Sequence, residues 1–220
     1  MRAALDTLIE HDPRLARIER AAGPLPWRVR AGGFPGLLQI LVGQQISNQA
    51  ALAIWHRLAA LPGALMPEGL LALSEAALRT AGLSRPKAAH ARLLAAAFVS
   101  GQVSGTALER LSDADAVAAI TAVRGLGPWT AEVYLLFALE RQDVFPAGDV
   151  AIASAAADIL GLSSRPDPKA LRALAEVWRP SRALAARLLW HHWRQLTGRP
   201  SFDDVTPGPS HVYGVFTSSG

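Results

Sequence analysis

Apolar residues return every three or four positions through most of the chain, and clusters of Gly, Pro and Ser interrupt the rhythm at intervals. That is the signature of successive amphipathic helices rather than of strands. The spacing predicts a helix near 12–22, then a loop through Pro24, Pro26 and the Gly32-Gly33 pair. A long helix is expected from about Gly36 to Leu61, carrying Leu37, Ile40, Leu41, Ile46, Ala50 and Ile54. Shorter helices follow near 67–73, 74–81 and 86–99. Ser112-Asp113-Ala114-Asp115 reads as an N-cap with an acid three residues on and opens a helix over 113–122. Pro128, favoured in a first helical turn, opens another, with Trp129, Val133, Leu136, Phe137 and Glu140 at one-face spacing. Helices over 150–160, 168–178 and 181–197 complete an all-α pattern. The expected division is a bundle over 32–140 and a second helical subdomain from 1–31 plus 141–200, with 201–220 as a Pro-, Gly- and Ser-rich tail.

Composition sharpens this picture more by what it excludes. Half of the residues are apolar, dominated by the helix formers Ala and Leu. The absence of cysteine removes disulfides, thiolate zinc sites, iron–sulfur clusters and a cysteine nucleophile. His191 and His192 are adjacent, so on a helix they point in different directions and make a poor chelating pair. A net charge of +4 and a sequence pI near 10.3 are compatible with a polyanionic partner. Each apolar run is interrupted by a polar residue before a membrane span is reached, and acidic residues follow Met1 too soon for a secretory signal. A soluble, cytoplasmic protein is the expectation.

The most informative stretch is Val123-Arg124-Gly125-Leu126-Gly127-Pro128, between two predicted helices. Two glycines flanking one apolar residue suit a tight turn that lets a backbone approach another surface and aims free amides at it. Amides at a helix start attract phosphate. The same six residues would also make an ordinary corner between helices.

Taken with its surroundings the stretch becomes specific. Gly125-Leu126-Gly127-Pro128-Trp129-Thr130-Ala131, followed by Pro146-Ala147-Gly148-Asp149, resembles the helix-hairpin-helix and Gly/Pro–Asp signature of the DNA glycosylase superfamily, and is most similar to its 3-methyladenine DNA glycosylase II branch. Three further stretches agree: Gly43-Gln44-Gln45-Ile46-Ser47, Gly82-Leu83-Ser84-Arg85-Pro86-Lys87-Ala88, and Trp178-Arg179-Pro180 leading to Leu188-Leu189-Trp190. The resemblance spans roughly residues 25–195 and implies two helical subdomains with a cleft between them, and removal of alkylated bases such as 3-methyladenine and 7-methylguanine from double-stranded DNA.

It also implies roles. Asp149 matches the catalytic carboxylate, and as a good N-cap for the helix after it, it is favoured as an anion. Breaking an N-glycosidic bond builds positive charge on the sugar, which a fixed anion stabilises. Trp129 stands where strand-cutting members carry a Schiff-base lysine, so the resemblance implies hydrolysis without lyase activity. Trp190 matches a tryptophan that stacks on the extruded base. Apart from the resemblance, Trp27 and Phe34 from the N-terminal loop are candidates for a second wall, and His191, next to Trp190 in the chain, for a further pocket contact. Gln45 matches the residue that fills the vacated stack. Ser47, Arg85, Lys87, Arg124, Thr130 and the hairpin residues Gly125, Leu126 and Gly127 are the implied DNA contacts. The carbonyls of Thr121, Val123 and Leu126 match positions that bind sodium or potassium when DNA is present; no other cofactor is expected.

Some positions depart from the family pattern. Val133 replaces a pocket aromatic, Ser181 stands where some members have a second tryptophan, and the β-rich N-terminal domain of some relatives is expected to be missing. Two rival readings stay open: a non-enzymatic helix-hairpin-helix DNA-binding protein, and a glycosylase for adenine or uracil mismatches. A monomer is expected, associated with the nucleoid through its DNA.

Overall fold

Leucine and alanine stripes at helical spacing become helices throughout the computed structural model, which describes residues 2–199. Every regular element among them is helical. Segments α1 (Arg2–His11) and α2 (Ala16–Ala22), joined by a 3-10 turn, lead through an extended stretch to α3 (Gly33–Gly43) and α4 (Asn48–Ala59). The chain continues through α5 (Pro67–Ala72), α6 (Glu75–Thr80), α7 (Arg85–Val99), α8 (Gly105–Arg110), α9 (Asp113–Thr121) and α10 (Pro128–Phe137). It ends in α11 (Val150–Leu160), α12 (Pro168–Leu174), a 3-10 turn at Ala175–Trp178, and α13 (Arg182–Thr197). The predicted tail over 201–220 lies outside the described residues.

Helix α3 is buried on most sides and packs against α4, α7 and α10, while α13 packs against α2 and α11. One contiguous apolar core runs through both groups. The two ends of the chain are stitched together at Asp12, whose carboxylate accepts the Arg14 N–H and, through its second oxygen, the Trp178 indole N–H at 2.9 Å. The buried Arg182 guanidinium grips Asp143 and Glu176, which anchors the loop entering Asp149 against the start of α13.

The helix expected over 36–61 is two helices. Apolar periodicity continues through Ile46, but Gln45 adopts a left-handed φ of 58° and Ser47 then caps α4 by accepting the Ala50 N–H. Similarly, the helix from Pro128 ends at Phe137, three residues before Glu140. Glu140 is itself left-handed at φ 50°, and the Arg141 N–H returns to the Leu135 carbonyl, so Glu140 leaves the shared face. Helices α1 and α8 carry too short an apolar stripe for periodicity to reveal, each having few buried side chains. Among the described residues, no helix is long and apolar enough to cross a membrane.

Candidate functional site

The turn between α9 and α10 needs glycine at one of its two glycine positions. Gly125 has φ +95°, and a Cβ there would sit 2.2 Å from His90 Cγ on α7. Gly127 is different: φ is −97° and a Cβ would meet nothing within 4 Å. Its bareness serves no contact inside the protein. Leu126 between them plugs the turn into the core, where it is 4% exposed. The first bond inside α10 runs from the Ala131 N–H to the Gly127 carbonyl, so the Trp129 and Thr130 amides lie in the unsatisfied first turn. Of the three carbonyls expected to hold an alkali cation, that of Val123 accepts the Leu126 N–H at 3.1 Å and keeps a second lone pair.

Asp149 ties the start of α10 to the start of α11. One carboxylate oxygen accepts the N–H groups of Ala151 (2.8 Å) and Ile152 (3.0 Å), the cap foreseen from the sequence. The other accepts the Trp129 indole N–H at 2.9 Å. Three donors therefore fix a half-buried anion at the wall of a cavity of about 150 Å³. Trp129, Phe137 and Trp190 are the aromatic residues of its lining, with Leu25, Pro26, Ile40 and Val133 as further apolar residues, and Phe137 stacks on Trp190 with ring centroids 5.4 Å apart at 28°. Arg30 and Arg187 lie over the Phe137 ring at 4.4 and 4.6 Å.

Sequence reading missed the cationic half of this lining. Arg28, Arg30, Arg187 and Arg194 surround a cavity in which Asp149 is the carboxylate, with Gln39 and Asn48 as further polar groups. Guanidinium groups donate and never accept; that of Arg187 is buried and donates to the Arg28 and Leu136 carbonyls at 2.6 and 2.8 Å, tying the extended stretch and the end of α10 to α13 at the cavity wall. Helical spacing held a signal for two of them: Arg187, Trp190 and Arg194 stand three and four apart on α13, along one face. Arg28 and Arg30 come from the extended stretch before α3, where no periodicity exists to read.

Several expected site residues lie elsewhere. Phe34 is a core residue, 3% exposed and edge-on to Phe98, because the face of α3 that carries it turns away from the cavity. Trp27 lines a neighbouring depression; Arg187 lies over its ring at 4.2 Å and its N–H reaches Glu140. His191, one residue on from Trp190, turns away and its Nε2 donates to the Gly23 carbonyl at 3.1 Å, while burial pushes its pKa down. Thr130 has a buried side chain whose hydroxyl accepts from Gln44 Nε2 at 2.9 Å, leaving only its backbone amide for DNA. Lys87 is not a surface phosphate ligand, because its ammonium donates to the Val42 and Gln44 carbonyls at 2.7 Å each. Gln45, Ser47, Arg85 and Arg124 are exposed. Among the described residues, no group of three His, Cys, Asp or Glu side chains is placed to hold a metal.

Comparison with known proteins bears on the family and the fold. Residues 38–180 match the HhH-GPD superfamily base excision DNA repair proteins. The chain is 30% identical over 161 residues to DNA-3-methyladenine glycosylase 1 of Schizosaccharomyces pombe, covering 71% of each. Among solved structures it is similar to the S. pombe 3-methyladenine DNA glycosylase in complex with abasic DNA, with a TM-score of 0.77 and 26% identity over 86% of this chain and 95% of that one. It is also similar to a DNA-3-methyladenine glycosidase from Bacillus halodurans, with a TM-score of 0.75 and 30% identity over 91% and 94% of the two chains.

Proposed function

The chain belongs to the HhH-GPD superfamily of base excision DNA repair proteins, and on that premise we infer that it is a DNA glycosylase acting on alkylated bases. The observation that carries the reading is the Asp149 carboxylate, fixed by three N–H donors at the wall of a cavity with aromatic and guanidinium groups. As the bond from C1′ to the base nitrogen lengthens, its electron pair leaves with the base and positive charge grows on the deoxyribose. A carboxylate already held in place stabilises that charge without reorganising at the moment of reaction. The same group takes a proton from the attacking water, whose oxygen bonds to C1′ and leaves an abasic site.

We propose hydrolysis without strand cutting. Trp129 brings an indole to the start of α10, and an indole has no amine with which to form a Schiff base. Its N–H is put to use on Asp149 instead. Trp129→Phe keeps the aromatic wall and loses that donor, so single-turnover base release is expected to fall roughly 10- to 100-fold, the weight of one hydrogen bond to a charged group. An unchanged rate would remove Trp129 from the reading.

Lesion range is the finer question, and the arginines bear on it. Guanidinium groups already lie over the Phe137 ring, the kind of surface that attracts a cationic base. We therefore expect neutral hypoxanthine to be released alongside cationic 3-methyladenine and 7-methylguanine. The deciding experiment is a panel of duplexes carrying these bases and uracil, scored for abasic sites and for strand breaks before alkali or heat. Release of the alkylated purines with intact strands supports the reading; uracil release alone, no release at all, or accumulating breaks contradicts it.

The proposed working unit is a monomer, because hairpin, carboxylate and cavity come from one chain. The carbonyls of Thr121, Val123 and Leu126 are proposed to hold sodium or potassium when DNA is bound, with oxygen donors of the kind alkali cations accept.

A further inference from the structure

Beneath the hairpin and the Gln45–Ser47 turn lies a set of bonds that catalysis at Asp149 does not use. Val42 and Gln44 sit at the C-terminal end of α3, where carbonyls have no intrahelical donor. Lys87, in the first turn of α7, reaches across and donates to both of them. A cation there complements the negative end of the helix, and the geometry is close enough that burial pushes the ammonium pKa down. Gln44 carries the connection onward: its Nε2 donates to the Gly125 carbonyl at 3.2 Å and to the Thr130 hydroxyl at 2.9 Å. His90, one turn along α7 from Lys87, closes the far side by packing directly against Gly125.

The residue between these anchored points is Gln45, exposed and held at φ 58°, a conformation that side chains other than glycine rarely adopt. Such a conformation persists only where its surroundings determine it. Here they do so from both sides, since Lys87 fixes the carbonyl before Gln45 and Ser47 caps α4 just after it.

We propose that Lys87 and Gln44 are positioning residues that lock the Gln45 turn and the glycine hairpin into one rigid body, so that the side chain entering the base stack and the amides gripping the backbone meet the duplex in fixed register. This rests on the glycosylase reading, which gives both elements their work on DNA. Lys87 and Gln44 touch neither the cavity nor Asp149. At enzyme concentrations that saturate both substrates, where backbone binding no longer limits release, their contribution therefore lies in extruding the base and vanishes where no base pair has to be opened.

The test compares wild type with Lys87→Met and Gln44→Met, using one lesion in a fully paired duplex and the same lesion unpaired in a single-nucleotide bulge. 2-Aminopurine at the lesion position reports unstacking in parallel. Gln44→Met covers the case in which Lys87→Met fails to fold. The expected result is a fall of about tenfold or more in single-turnover release from the duplex, with a matching loss of 2-aminopurine signal, and release from the bulge within about threefold of wild type. Lys87→Arg, which keeps donors at that position, restores part of the duplex rate. Equal losses on both substrates, or no loss on either, overturn the proposal. A wild-type protein that releases no base from any substrate instead overturns the glycosylase reading, and the two failures are told apart by that control alone.

Discussion

In Asp149→Asn, single-turnover release of an alkylated base is expected to fall roughly 100- to 1,000-fold, the scale on which one preorganised electrostatic partner acts at a charge-building transition state. Affinity for undamaged duplex is expected to stay within about threefold, because the hairpin is untouched and the change removes a negative charge from a DNA-facing surface. The substitution has a structural side that has to be separated from the catalytic one. The carboxylate accepts from Ala151 and Ile152 with one oxygen and from Trp129 with the other. An asparagine has a single oxygen, so either the helix cap survives and its NH2 faces the indole N–H, or the indole bond survives and the cap is lost. A stability loss of about 1–2 kcal/mol follows. Asp149→Ser keeps a cap acceptor, carries no charge and brings no NH2 against the indole. If charge is what the reaction needs, both variants lose release to a similar degree while their denaturation midpoints differ. Release within about fivefold of wild type in either variant would remove Asp149 from catalysis.

What could be read from the residues divides along physical lines. The helices over 86–99, 113–122 and 150–160 were legible because their apolar stripes and caps are local, and Ser112 and Asp149 cap α9 and α11 as their chemistry demands. The break at Gln45 was hidden because Ile46 continues the apolar phase although it is exposed. Asp149, Trp129 and Trp190 converge on one cavity although Asp149 and Trp190 lie 41 positions apart in the chain; motif resemblance supplied that, not periodicity. Phe34 and Trp27 show the limit of aromatic character as a signal. A phenylalanine against Phe98 and a tryptophan beside Glu140 look the same in sequence as cavity walls. Lys87 shows the limit for charge. A lysine near a helix start reads as solvated or phosphate-facing, and only the fold reveals that two orphan carbonyls lie within reach of its long stem.

The two hairpin glycines are expected to separate stability from DNA affinity when each is replaced by alanine. Gly125→Ala meets two obstacles. Its φ of +95° is unfavourable for an L-residue, by about 1–2 kcal/mol. Its Cβ would also lie 2.2 Å from His90 Cγ and 2.7 Å from His90 Cβ. Rotation about the His90 Cα–Cβ bond moves Cγ but not Cβ, so turning the ring away still leaves the 2.7 Å clash, and hairpin and α7 must part. A total loss of about 2–4 kcal/mol is expected in denaturant unfolding, with weakened duplex binding as the turn loses its register. His90→Ala in the same background recovers only part, since its remaining Cβ still crowds the new methyl and φ is unchanged; the double-mutant cycle measures the recovered fraction. Gly127→Ala meets neither obstacle, with φ at −97° and nothing within 4 Å of the added carbon. Its unfolding free energy is expected to stay within about 0.5 kcal/mol of wild type. If Gly127 is bare so that a phosphate can approach the helix start, its affinity for duplex DNA at fixed salt nevertheless falls, by about tenfold. A Gly127→Ala protein that binds duplex as tightly as wild type would place the DNA backbone somewhere other than this turn.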